Sequence, residues 1–378
     1  MELAGQHPVK VAHREHHRTY DARGALSLDA VVRAWHRALR GKRSRADVAR
    51  YSCDAEARLV ALHRRLADGR WRPGPYRVFT VREPVVRTIA ALPFEDRIVQ
   101  HALMGVVAPR ITRCLAPQTF ACIPGRGSHG ALASARESTR LRRWCLRLDV
   151  RKFFPSVDHG VLRAALSALQ RPGEQWIGAL EGLLLDHQGP FERAKFWFPG
   201  DDLLAGLRPR GIPIGNLTSK WWANLLLSPL DHLLANHLGV RDFVRYMDDL
   251  VIFDDSRSRL ESIWRRCDES LTRLRLRAHP IKCGIVATRD GVDFLGFRLR
   301  RTDGGVAVRI ADASVDRFRE RMGDLVARYA VDAVEAETVR SHIAAWMGHA
   351  GHGHTRALCE TVLSEFVFVR TSGRGDDE

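Results

Sequence analysis

The stretch Val244–Phe253, VRYMDDLVIF, sets two adjacent aspartates between two apolar runs that alternate in the manner of strands. Aspartate tolerates turn geometry, so the pair alone reads as a solvated hairpin turn. The chain around it asks for more. Its 378 residues carry 60 Lys plus Arg against 44 Asp plus Glu, a formal net charge of +16, and a half-buried hairpin is a costly place to gather negative charge. The cationic excess points to a polyanionic partner, nucleic acid foremost. Only six of the sixty cations are Lys. Arginine forks suit phosphate and stack on bases, although a compositional bias of the source genome gives the same imbalance.

A second carboxylate lies upstream. In LRLDVRKFFPSVDH (146–159), Asp149 ends an apolar strand and does not sit among turn residues. Two strand-borne carboxylate sites meeting in one sheet suit a pair of Mg²⁺ ions, which prefer oxygen ligands and complete their shells with water and substrate phosphates. Such a pair activates an attacking hydroxyl and stabilises the leaving group of an in-line displacement. A divalent cation would neutralise the hairpin, while the basic surface elsewhere holds the polyanion.

The rest of the chain frames these strands. SLDAVVRAWHRALRG is expected as a helix with Ser27 as N-cap and Gly41 as its stop, followed by a basic loop GKRSR and a second helix, DAEARLVALHRRLADG, with Leu59, Leu62 and Leu66 on one face. YRVFTVREPVVRTIAAL reads as strands broken at Pro84, FEDRIVQHALMGVVAPRI as helical, and CIPGRGSHGAL as a Gly-rich turn opening a helix. That GRGSHG lacks the Lys-Ser/Thr ending of a P-loop. WCLRLDV is a strand, HGVLRAALSALQ a helix, and Gln188 to Arg210 a polar loop rich in Gly, Pro and aromatics. TSKWWANLLLSPLDHLLANHLG is a long helix kinked at Pro229. Beyond the Asp-Asp hairpin come a helix across SRLESIWRRCDESLTRLRL, short strands at KCGIVATRD and VDFLGFRLRR, and helices from about Ala311. The alternation around Asp149 to Arg300, with no GxGxxG, indicates an α+β sheet domain and not a dinucleotide fold.

Other signals exclude function classes. No apolar run approaches 18 residues and the N-terminus lacks a signal-peptide core, so the chain reads as cytoplasmic with no membrane partner. Seven cysteines without a CxxC pair argue for reduced thiols and against a disulfide framework or zinc ribbon. His349, His352, His354 and Cys359 fit no regular zinc spacing. HREHHR near the N-terminus reads as a solvated basic arm.

YMDD between apolar strands, LDVRKFFPSVDH upstream, RGIPIGNLTSKWWANLLLSPLDH (210–232), the lysine of PIKC (280–283) and FLGFRLR (294–300) resemble, in order and spacing, motifs A to E of the bacterial reverse transcriptases. The resemblance spans roughly Tyr76 to Arg301. It implies an α+β right-hand polymerase: a helical N-terminal extension (1–75), fingers (76–143), a palm with an antiparallel sheet (144–300) holding the motif B helix and an inserted loop (186–210), a helical thumb (301–371) and a disordered tail (372–378). The implied activity is RNA-directed DNA polymerisation from dNTPs, with two Mg²⁺ ions, for which Mn²⁺ can substitute. The implied partners are an RNA template, a DNA or RNA primer, a separately encoded non-coding RNA and an accessory protein. Template-independent or protein-primed synthesis is the alternative within polymerases, and a catalytically silent RNA-binding protein is the alternative outside them.

The resemblance also assigns residues. Asp149, Asp248 and Asp249 would hold the metals, and Lys282 would protonate the leaving pyrophosphate. Phe154 would close the sugar pocket against a ribose 2′-hydroxyl, with Phe153 facing the other way. The backbone amides of Arg151, Lys152 and Phe153 would lie along the triphosphate. Arg87, with Arg82 as the second candidate, would grip it. Phe294, Leu295 and Gly296 resemble the primer grip, and their aromatics fit a core equally well. Many family members carry glutamine before the glycine of motif B; here Ile214 precedes Gly215, which removes polar contacts at the templating pair. IGNLTS resembles the diversity-generating retroelement type and related antiviral-defence lineages, whereas Lys220 departs from the glutamine usual in the former.

Overall fold

The computed structural model describes residues 26–81, 86–187 and 189–371, which fall into two compact units. The first comprises the described residues up to Gly74 with Phe94–Leu103 and Gln170–His187. The second comprises the described residues of Pro75–Pro93, Met104–Leu169 and the chain from 189 onward. Pro84, the HREHHR arm and the segment 372–378 lie outside the described residues.

Helix α1 (Leu28–Leu39) begins where the Ser27 hydroxyl accepts the Ala30 amide at 3.2 Å, and it buries Val31, Ala34 and Ala38. The basic loop GKRSR (41–45) stands where the sequence puts it. After it, α2 (Ala46–Cys53) buries Val48 and Tyr51, a stripe of two residues in eight that is too thin for periodicity to find. Helix α3 (Ala55–Ala67) buries Leu59, Leu62 and Leu66 as its spacing requires.

Strands β1 (Arg77–Val81) and β2 (Arg87–Ala91) pair antiparallel with Thr80 opposite Thr88. Helices α4 (Phe94–Cys114) and α5 (Ser128–Leu141) follow, the latter entered through Gly127. Strand β3 (Trp144–Asp149) leads through Lys152, at φ 47°, into a single turn, α6 (Phe153–Ser156). Asp158 then caps α7 (His159–Ser167). Helix α8 (Gln175–Asp186) precedes the inserted segment, whose described residues form a loop as expected, with one short helical turn. A 3₁₀ turn at Leu203–Leu207 exposes Leu203, Leu204 and Leu207. The segment is tied down by Arg208 to the buried Asp158 at 2.7 Å and by Arg275 to Asp201 at 2.7 Å.

Helix α9 (Leu217–His232) contains Pro229, whose missing amide leaves the Leu225 carbonyl to accept the Ser228 hydroxyl at 2.8 Å, and it runs into a π turn at Leu233–His237. Strands β4 (Phe243–Tyr246) and β5 (Asp249–Asp254), helix α10 (Arg257–Arg273) and strand β6 (Gly284–Ala287) complete a four-stranded antiparallel sheet of order β4-β5-β3-β6. VDFLGFRLRR is two strands, β7 (Val292–Phe294) and β8 (Phe297–Thr302), joined by a two-residue turn. With β9 (Gly305–Ile310) they form a second antiparallel sheet. Helices α11 (Asp312–Ala330), α12 (Ala336–Ala350) and α13 (Arg356–Ser364) pack Phe318, Met322, Leu325, Trp346 and Val362 into one core with Phe294, Phe297, Leu299 and Val308. Among the described residues no helix is long and apolar enough to cross a membrane.

Candidate active site

Strand register brings the carboxylates together. Asp149, last in β3, lies opposite Asp249, first in β5, and Asp249 is also paired with Tyr246 at the end of β4. Directly opposed antiparallel residues have Cα atoms about 4.5–5.5 Å apart and project from the same face. Period-two alternation puts Cys145 and Arg147 on that face as well. The hairpin connection is therefore Met247–Asp248 alone: Asp249 belongs to the strand, a correction to the reading that places both aspartates in the turn. Met247 adopts φ 58°, where a side chain is strained by about 1–3 kcal/mol.

Asp149, Asp248 and Asp249 line one cavity of about 1570 Å³ with Arg87, Arg147, Phe154, Ile214 and Lys282. Lys282 Nζ is 3.5 Å from Asp149 Oδ2. The Asp149 backbone is braced on the same side, its carbonyl accepting the His279 amide at 2.7 Å and its amide lying 3.3 Å from Cys283 Sγ. Asp248 and Asp249 make no ion pair among the described residues. Burial pushes the Asp248 carboxyl up to about 6; Asp149 adds to the rise, while its own backbone hydrogen bond, Arg87 and Lys282 oppose it. Burial pushes Asp249 to about 7, with Asp248 and Asp149 adding to the rise and Arg147 and a hydrogen bond from the Leu295 amide opposing it. Three carboxylates gathered at the end of a sheet, only partly offset by Arg87, Arg147 and Lys282, are the electrostatics of a cation seat.

The donor set is all oxygen, which fits a hard divalent ion. Among the described residues no three His, Cys, Asp or Glu side chains stand as a closed metal cage.

The other expected residues divide. Both rings border the cavity, but Phe153 is 2% exposed whereas Phe154 is half-buried; the two meet edge-on at 5.5 Å. The Arg151 amide donates to the Arg277 carbonyl at 2.8 Å. It is therefore not available to a triphosphate, which corrects the expectation for that amide, and its guanidinium stacks over Phe196. Lys152 also lines the cavity and pairs with Glu192. Arg82 lies outside the described residues.

Ile214 accepts the Ala90 amide through its carbonyl at 3.0 Å, which ties the motif B loop to β2. Gly215 follows at φ 116°, and a Cβ there would stand 2.8 Å from Ile89 Cγ2. Phe294 is core, 2% exposed, while Leu295 and Gly296 form a turn at φ 51° and 84° on the cavity rim, the positive-φ pair of a tight hairpin.

Of the C-terminal histidines, His352 stacks on His129 at 3.5 Å, His354 packs against Val308 and His349 against Phe297. Sequence reasoning missed Arg147, Cys283 and Arg317 in and around this cavity. Alternation along WCLRLD would have put Arg147 on the Asp149 face; the other two reach the site through tertiary packing that no spacing signals.

Residues 83–299 match the family model described as reverse transcriptase (RNA-dependent DNA polymerase). Two solved structures are among those similar to the chain. One is telomerase from Candida albicans in complex with the TWJ fragment of telomeric RNA, at 12% identity, covering 79% of this chain and 56% of that one, with a TM-score of 0.43. The other is apo telomerase from Candida tropicalis truncated from the C-terminal domain, at 9% identity, covering 63% and 55%, with a TM-score of 0.45. The chain thus spans little more than half the length of either. No curated protein matches it.

Proposed function

The chain belongs to the reverse transcriptase family, with that family's right-hand polymerase fold of helices and antiparallel sheets, and we propose that it performs Mg²⁺-dependent synthesis of DNA on an RNA template from dNTPs. The observation that carries this reading is the register pairing of Asp149 with Asp249, with Asp248 in the adjoining turn, inside one cavity. Asp149, Asp248 and Asp249 would hold the divalent ions, whose chemistry is to lower the pKa of a primer 3′-hydroxyl and neutralise the leaving pyrophosphate.

The chain's own groups do the rest. Arg87, exposed on β2, binds triphosphate charge. Lys282 is positioned to give its proton to the pyrophosphate, a contribution of about 10²- to 10⁴-fold in rate. The Phe154 ring, half-buried on the cavity wall, is the group that would exclude a ribose 2′-hydroxyl. Leu295 and Gly296 support the primer terminus, and the excess of arginine holds template and primer by their phosphates. Primer extension on an RNA template tests the proposal: wild type yields DNA complementary to the template by sequencing, and Asp248→Ala yields none. Equal yields from the two proteins contradict the site.

Ile214 on the cavity wall supports an error-prone enzyme, since an aliphatic side chain gives no hydrogen bond that a mispair would lose. We place it in a bacterial retroelement or antiviral defence system, acting on a separately encoded RNA. Ile214→Gln is expected to lower the misincorporation frequency read by deep sequencing of the product; an unchanged error spectrum removes this part of the proposal.

A further inference from the structure

In a chain with arginines over most of its surface, Arg245, the residue before YMDD, is 1% exposed. Its backbone lies in β4 and its side chain reaches α9. There Nε donates to Asp231 Oδ1 at 2.6 Å and Nη2 to Asp231 Oδ2 at 2.5 Å, a bidentate pair whose acid is 0% exposed. The remaining N–H groups are also taken. Nη1 donates to Asn224 Oδ1 at 3.0 Å and to the Met247 carbonyl at 3.0 Å, and Nη2 to Thr119 Oγ1 at 3.3 Å. Thr119 Oγ1 in turn donates to Asp231 Oδ2 at 2.8 Å, and Asn224 Nδ2 to the Ala121 carbonyl at 2.8 Å. The side chains of Arg245, Asp231, Asn224 and Thr119 are all buried, and the Met247 carbonyl is half-buried beside them.

A buried ion pair is weak evidence of stability, because desolvation offsets its attraction and apolar residues often replace it without loss. What this pair does that apolar residues cannot is hold the Met247 carbonyl. That carbonyl belongs to the peptide joining Met247 to Asp248, and Met247 is the residue at φ 58°. A strained turn persists only where its surroundings over-determine it, and here the guanidinium supplies the constraint from beneath.

We propose that Arg245, fixed by Asp231, Asn224 and Thr119, is a positioning residue that locks the Met247–Asp248 peptide and so aims the Asp248 carboxylate into the cavity. The inference rests on the role proposed for Asp248. Arginine is required because the fork engages Asp231 and Met247 together; a lysine ammonium at the end of a flexible stem does not span both.

The test compares wild type, R245M/D231L and R245K by melting temperature, by isothermal titration with Mn²⁺ in the absence of nucleotide and primer, and by steady-state kinetics on an RNA template. R245M/D231L removes both charges and the carbonyl donor together. The expected result is a folded protein with Mn²⁺ affinity about 10-fold weaker, kcat about 100-fold lower and an unchanged dNTP KM, with R245K intermediate. Wild-type Mn²⁺ affinity and kcat in a folded R245M/D231L overturn the proposal, and if that variant does not fold, wild-type values in R245K do so. The Mn²⁺ titration is independent of polymerisation. A wild type that makes no RNA-templated DNA therefore defeats the functional reading, whereas an unperturbed titration in the variants defeats this inference.

Discussion

At the scale of single residues, the site is an arrangement of charge against burial. Asp248 and Asp249, raised to about 6 and about 7, hold their protons more tightly in the metal-free folded protein than in the unfolded chain. Their contribution to stability is then full below the ordinary carboxylate pKa of about 4 and is lost as pH rises through about 6 to 7. The melting temperature in EDTA is expected to fall between about pH 5 and about pH 8. Asp249→Asn, which cannot ionise, should raise it by about 2–4 °C at the upper end and less at the lower. Calorimetry across that window checks the sign; a variant that melts below wild type at the upper end contradicts it. These aspartates were legible because charge interrupts apolar strands at Asp149 and at the hairpin. Arg245 was not, since an arginine beside an aspartate pair in an arginine-rich sequence gives no sign of lying inside.

At the scale of elements, period and turn chemistry explain what could be read. Strand β3 and the β4–β5 hairpin carry alternating runs, and the register that opposes Asp149 to Asp249 follows once those runs pair. Helix α2 and strand β9 were missed because one carries a two-residue stripe and the other, GVAVRI, begins at a glycine beyond a glycine turn. The inserted segment was legible as a loop, but its anchoring was not, because Asp158 and Arg275, the partners of Arg208 and Asp201, lie far from it along the chain.

Gly215 links two elements, since its lack of a Cβ lets the motif B loop close on Ile89 of β2. Gly215→Ala meets both φ 116° and the 2.8 Å approach. The expected cost of about 1–3 kcal/mol falls on the β1–β2 hairpin that carries Arg87. Kinetically this should appear as a raised dNTP KM with a smaller change in kcat; an unaltered KM would detach that hairpin from nucleotide binding.

At the scale of the whole molecule, the chain carries a net charge of +16 yet gathers three carboxylates in one cavity, which separates holding the polyanion from reacting with it. Ordered motifs from roughly Tyr76 to Arg301 made the family legible, and the family model matches residues 83–299. The two-unit division was less so, because the first unit is assembled from three separated stretches that meet only in space. The central claim is that carboxylates distant along the chain form one reaction centre. Single-turnover incorporation of one dNTP by wild type and Asp149→Asn, at matched occupancy of an RNA template and DNA primer, tests it most directly. The account expects Asp149→Asn to bind the primer–template normally and to incorporate at least about 100-fold more slowly. Incorporation at the wild-type rate would contradict it.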